Sequence, residues 1–185
     1  MLRRLPVTST AAHSPPTRLA ADPAAVAALA IAAVAAATLA GAWFFELVLD
    51  IRPCPLCLEQ RYAYYLAVPL GALTAFAAWR HAPRQLLMAA FAILLAACLA
   101  NAWLGGYHAG VEWKFWPGPT DCSGPLVDFG KAGNLLEQLD KVKVVRCDEV
   151  QFRFLGLSLA GYNVLISLAM AVMALWGIVA AKRGA

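Results

Sequence analysis

Charge is what this sequence has least of. Asp, Glu, Lys and Arg together make 14% of its 185 residues, while 62% are hydrophobic; a soluble domain carries about 25% charged residues. The scarcity is also uneven. Between Pro23 and Leu49 the only charge is Glu46, between Tyr62 and Trp79 there is none, between Gln85 and Val111 only His108 titrates near neutral pH, and Phe154 to Ala181 is again empty of charge. Internal repeats, a phosphate-cradling glycine loop and a hydrolase triad are missing too, which removes repeat arrays, nucleotide hydrolases and serine-type esterases from consideration. The net charge of +4 is small and gathered at segment ends, so it describes topology and argues against a nucleic-acid surface.

Each uncharged run is as long as the ~18–20 residues that cross ~30 Å of hydrocarbon as a helix, the open-ended element that pairs its own backbone there. The runs predict an all-α membrane protein, a four-helix transmembrane bundle with helices at about 25–47, 62–80, 86–106 and 160–181. One domain, 23–181, would hold them. Residues 1–22, rich in Ala, Pro, Ser and Thr, read as a disordered tail, and 182–185 as a short one. The first run starts too late and is too long for a cleaved signal peptide.

Basic residues set the orientation. Arg3, Arg4 and Arg18 precede the first run, Arg80 and Arg84 flank the short second connection, and Lys182 and Arg183 close the chain. Short basic flanks mark the cytoplasmic side. The long segment 107–159 is nearly balanced, with six basic and seven acidic residues, and suits the opposite face. Within it Leu135, Leu136, Leu139 and Val142 recur at helical spacing and predict a short amphipathic helix. Phe152, Phe154 and Leu155 read as a second surface anchor.

Four of the five cysteines then fall on that outer, oxidising face, where disulfides persist. Cys54 and Cys57 follow the first helix; Cys122 and Cys147 follow the third. Their natural pairing is Cys54–Cys57 and Cys122–Cys147, one of three connectivities. Leu58 after the second cysteine excludes c-type haem attachment. The 25-residue spacing of the other pair disfavours a zinc site, and no metal is expected. Cys98 reads as a small hydrophobe between helices.

The stretch "RPCPLCLEQR", Arg52 to Arg61, is chemically active by composition. Pro53 and Pro55 hold the residues before them out of helical backbone, and Pro55 suits a first helical position. A helix starting there puts Cys57 in its first turn, where free amides and the dipole favour a thiolate. Arg61 follows at i,i+4, on the same face.

With "YHAGVEWKFWPGPTDCSG" and "RCDEVQFRFLGLSLAGYN" in the same order, "CPLCLEQR" resembles the DsbB family of bacterial disulfide bond formation proteins over roughly residues 40–180. The resemblance implies a quinone-dependent thiol:disulfide oxidoreductase of the bacterial inner membrane, with both termini cytoplasmic and the cysteine pairs periplasmic. A reduced DsbA-like thioredoxin-fold partner would attack Cys122. Cys147 would then exchange with Cys54. Cys57 would face a membrane quinone, ubiquinone or menaquinone, as a thiolate stabilised by Arg61. His108 becomes a candidate quinone neighbour, while Glu46, Glu59 and Gln60 receive no chemistry. A monomer in contact with lipid and quinone is expected. The competing readings are a vitamin K epoxide reductase-like protein, whose Cys-x-x-Cys belongs to a late helix, and a non-enzymatic scaffold braced by two disulfides.

Overall fold

The computed structural model describes residues 22–119 and 146–183. Cys122, the amphipathic helix expected around 135–142 and the N-terminal tail up to residue 21 lie outside the described residues. Four helices long and apolar enough to cross a membrane account for most of the rest: α1 (Pro23–Leu47), α2 (Pro55–Trp79), α3 (Arg84–Glu112) and α4 (Leu159–Arg183). They form a ring in which α1 packs on α2, α2 on α3, α3 on α4 and α4 back on α1. Pro23, which opens α1, and Arg183, which closes α4, therefore lie towards the same end of the bundle.

Lipid tails are as apolar as leucine, so helices in a bilayer are held by close packing and polar contacts. Both devices are present. In α1 the buried stripe is mostly alanine, with Ala24, Ala28, Ile31 and Ala35 at spacings of three and four. That thin face meets Gly71 of α2, where an added Cβ would lie 3.0 Å from the Ala28 carbonyl oxygen and 3.1 Å from the Ala32 Cβ. Across the bundle Gly177 of α4 receives the ring of the fully buried Phe91. The polar contact is a cluster from three helices. Asn101 Nδ2 donates to Asn163 Oδ1 at 3.1 Å and to Ser167 Oγ at 3.0 Å, and the Tyr64 hydroxyl donates to Asn163 Oδ1. Cys98 lies buried in the main apolar core as a free thiol.

Capping explains the helix starts. The Asp22 carboxylate accepts from Ala24 N at 2.9 Å ahead of Pro23, which supplies an acceptor to an otherwise unpaired amide. In the same position before Pro55, Cys54 has extended backbone and its sulfur accepts from Cys57 N at 3.3 Å.

Two helices run further than their apolar runs indicate. α2 begins at Pro55, seven residues before the span expected from Tyr62, because the proline-initiated turn carries Glu59, Gln60 and Arg61 as helix. α3 continues to Glu112 instead of ending near 106. Gly105 does not stop the helix; it lets α4 approach, since a Cβ there would fall 2.8 Å from Asn163 Nδ2. His108 thus stands inside α3 and not in a loop. Past its end Trp116 folds back, its indole donating to Tyr107 O at 3.0 Å and lying over Gly110.

Before α4 the chain makes a small antiparallel hairpin, β1 (Arg153–Phe154) and β2 (Leu157–Ser158), with Arg153 opposite Ser158. Leu155 and Gly156 both have positive φ, 48° and 85°, as a two-residue mirror-image turn requires. The segment expected as a surface anchor forms this hairpin and its lead-in: Phe154 and Leu155 are exposed, and Phe152 packs on Phe45 of α1, ring centroids 5.1 Å apart.

Candidate redox site and cavity

The two sulfurs of the Cys-x-x-Cys stand 2.8 Å apart as free thiols. Cys54, at the N-cap, is buried, while Cys57 is half-buried. The helix amide that sequence reasoning gave to Cys57 goes to its neighbour, because the N-cap side chain is the one that reaches back to the first turn. Cys54 therefore carries the stabilised charge. Its pKa falls to about 5, chiefly through the hydrogen bond from Cys57; burial opposes the shift, and His108 and the Cys57 amide add to it.

His108 reaches this pair from α3. Its Nε2 lies 3.7 Å from Cys54 Sγ, and its Nδ1 lies 2.9 Å from Gln60 Nε2. With the Gln60 amide donating, Nδ1 accepts and the ring proton sits on Nε2, facing the sulfur. The donor atoms of Cys54, Cys57 and His108 all fall within 4.8 Å of one another. Glu112, one turn beyond His108, brings Oε1 to 3.9 Å from the same Nε2.

On one side of the pair lies Cys147, which is disulfide-bonded and packs in a buried cluster with Cys54, Leu56 and Val111. Its segment is tied down by the next residue. Asp148 accepts from Lys114 Nζ at 2.6 Å and from Arg146 at 2.9 and 3.0 Å. These cations, Lys114 first, hold the Asp148 carboxyl down at about 2.

The pair also borders a cavity of about 540 Å³, within the usual ~300–1,000 Å³ of a small-molecule site. Leu39, Ala42 and Phe45 of α1 and Leu159 and Ile166 of α4 give it an apolar wall, and Cys57, Arg61, His108 and Glu112 stand among its polar residues. An apolar ring with oxygen atoms at its edge fits such a lining: methylene and aromatic surface for the ring, guanidinium and imidazole donors for the oxygens. Arg61 is held at the cavity by Glu46 of α1, Nη1 donating to Oε2 at 2.6 Å, and its guanidinium lies 5.7 Å from the centre of the Trp43 ring.

Of the expected site residues, then, Cys54, Cys57, Cys147, Arg61 and His108 converge, and Cys122 falls outside the described residues. Three participants were missed. Gln60 and Glu46 were seen but given no chemistry, and Glu112 was counted only as a loop carboxylate. The i,i+4 spacing of His108 and Glu112 was the available signal, concealed by the early end assigned to the third helix.

The family model for disulfide bond formation protein DsbB matches residues 24–177. Among curated proteins, the chain is similar to disulfide bond formation protein B of Marinobacter nauticus, 32% identical over 77% of this chain and 84% of that one. The proteins of that name from Azoarcus sp. and Aromatoleum aromaticum are each 31% identical, over 80% and 84% of this chain and 88% and 92% of theirs.

Proposed function

The chain belongs to the DsbB family of disulfide bond formation proteins, and from that premise we propose that this multi-pass membrane thiol:disulfide oxidoreductase reoxidises a DsbA-like thioredoxin-fold protein and passes two electrons to a membrane quinone. The supporting observation is that the Cys54–Cys57 pair packs with buried Cys147 and also lines an apolar cavity that Arg61 and His108 share. The basic flanks support a bacterial inner-membrane topology with both termini cytoplasmic and the cysteines periplasmic.

In this reading the partner's thiolate attacks Cys122, a mixed disulfide forms and the Cys147 thiolate leaves. Cys147 then attacks Cys54 of the oxidised Cys54–Cys57 pair and releases Cys57, while the partner's second thiol attacks its own half of the mixed disulfide and frees Cys122. Exchange completes when the Cys122–Cys147 bond re-forms and Cys54 leaves as the thiolate its surroundings favour. The quinone, when bound, supplies the acceptor for two electrons. Arg61 and His108 would hold its oxygens, and the apolar wall would exclude water from the exchange.

Energetics explain why an external acceptor is needed. A DsbA-type couple lies near ~−120 mV, whereas structural disulfides lie below about −300 mV, so an inert disulfide would face roughly 8 kcal/mol uphill for two electrons. The DsbA–DsbB–quinone route keeps a bacterial periplasm oxidising as a general property of such systems. Purified protein should oxidise a reduced DsbA-like protein only when a short-chain benzoquinone or naphthoquinone is added, with stoichiometric quinone reduction. Partner oxidation without quinone consumption, or none with either quinone, would overturn the reading.

A further inference from the structure

Within the buried polar cluster of the bundle, Tyr64 and Asn163 line the cavity, while Asn101 and Ser167 do not. Donor accounting singles out Asn163. Its Oδ1 accepts from Asn101 Nδ2 at 3.1 Å and from the Tyr64 hydroxyl, which spends its only hydrogen there. Those two donors fix how the amide is turned. Its Nδ2 carries two hydrogens, and the acceptor it meets among the described residues is Asn101 O, at 3.4 Å. One hydrogen is left over on a residue only 8% exposed, and a buried donor is costly to leave unmet. The nitrogen also has a defined depth. It lies over Gly105, where an added Cβ would come within 2.8 Å of it, three residues before His108 on α3. Tyr64 stands three residues beyond Arg61 on α2, which runs the opposite way, its start at Cys54 meeting His108 near the end of α3. The cavity thus has two polar levels, Arg61 with His108 and, deeper in the bundle, Tyr64 with Asn163. Three residues at ~1.5 Å each separate them by about 4.5 Å along the axis.

We propose that Asn163 is a binding residue of the acceptor site, its spare amide hydrogen meeting the inner oxygen of a para-quinone whose outer oxygen is held by Arg61 and His108. The proposal rests on the quinone-linked function above and adds the orientation of the ring to it. A para-quinone carries its oxygens on opposite edges of one six-membered ring, so donors at two levels of one cavity match it edge to edge. The apolar wall, with Leu39, Phe45 and Ile166, offers surface to the ring itself. Donors at both oxygens oppose rotation of the bound ring, which a single level would leave free. Tyr64 and Asn101 are positioning residues, acting through the Asn163 oxygen that both of them hold. An acceptor with one carbonyl would leave the Asn163 hydrogen unmet, so the site favours rings with two.

The test uses the full chain in detergent, freed of quinone and then loaded with a short-chain benzoquinone carrying carbon-13 at one carbonyl or the other. In the infrared spectrum of the bound quinone both carbonyl stretches should lie below their position in an apolar solvent. Asn163→Ala should return one of them to the free position and weaken binding roughly two- to tenfold, the range for a neutral hydrogen bond. Ser167→Ala disturbs the same cluster without touching the Asn163 amide, and should keep both shifts. A single shifted carbonyl in the wild type, no change in Asn163→Ala, or equal losses in the two variants overturns the proposal. Should Asn163→Ala not fold, nuclear magnetic resonance of the wild type decides: the assigned Asn163 side-chain amide protons should move downfield on adding the quinone, and unmoved protons overturn it. A wild type that binds no quinone overturns the acceptor reading and this proposal together; a quinone bound with one carbonyl free overturns this proposal alone.

Discussion

Gln60 and His108, from different helices and both buried, meet side chain to side chain at 2.9 Å. The contact fixes which imidazole nitrogen faces Cys54. Gln60→Leu removes the partner and leaves a buried ring nitrogen unpaired, a loss of roughly 1–3 kcal/mol. Thermal unfolding should register that destabilisation, and the Cys54 thiolate should titrate at higher pH than in the wild type. Unaltered titration would show that the imidazole needs no such orientation.

The Cys54 shift gives a pH prediction with a definite sign. Its folded pKa, about 5, lies below the ordinary thiol value of 9.0, so the folded state holds fewer protons there than the unfolded one. The stability contributed is fully present above about pH 9 and is lost as the pH falls towards 5. The reduced protein should therefore lose stability, relative to the oxidised protein, on acidification through that window. Denaturation midpoints of the two redox forms across pH measure it; parallel curves would contradict the shift.

Charge-free runs mark the four helices because lipid-facing backbone leaves no alternative, and Pro55, inside the Cys-x-x-Cys, located the start of α2. Local pattern ended the third helix near 106, since a glycine that ends a helix and one that admits a neighbouring helix look alike until Asn163 is in place. The same limit hid Glu46. Its partner, Arg61, is fifteen residues away on another helix, and no spacing rule connects them. Cys54 takes the helix amide expected for Cys57 for a geometric reason, the reach of an N-cap side chain.

Asp148 offers a test of how Cys147 is kept beside Cys54. Its pairs with Lys114 and Arg146 are exposed, so salt should weaken them. Asp148→Asn should slow exchange between the two cysteine pairs at low ionic strength and make it nearly insensitive to salt. Stopped-flow oxidation of a reduced thioredoxin-fold donor reads both. A variant as fast and as salt-sensitive as the wild type would remove the tether from the argument.

Removing the resolving thiol tests the entry point. With Cys147→Ser, attack on Cys122 should accumulate as a mixed disulfide with the partner, identified by peptide mapping. An adduct on Cys54 instead would mean that electrons enter at the helix pair. The same chemistry tests topology: an impermeant thiol reagent applied to intact, reduced cells should label Cys122 without permeabilisation.

Arg61 makes the sharpest demand on geometry. Its hydrogen bond goes to Glu46, its guanidinium lies near Trp43, and it lines the cavity with Cys57. Lysine keeps the charge but loses the planar fork that serves several partners at once; alanine also strands the Glu46 carboxylate. Apparent quinone affinity should therefore fall for Arg61→Lys and further, about tenfold or more, for Arg61→Ala, since a charge-assisted hydrogen bond contributes roughly 1.5–3 kcal/mol. Glu46→Gln should reproduce part of the loss by freeing the guanidinium without removing it. Partner affinity, expected to depend on Cys122, should stay constant across all three. If quinone affinity is equal in wild type and Arg61→Ala, Arg61 serves as an interfacial anchor, and His108 alone is left to hold the acceptor's outer oxygen.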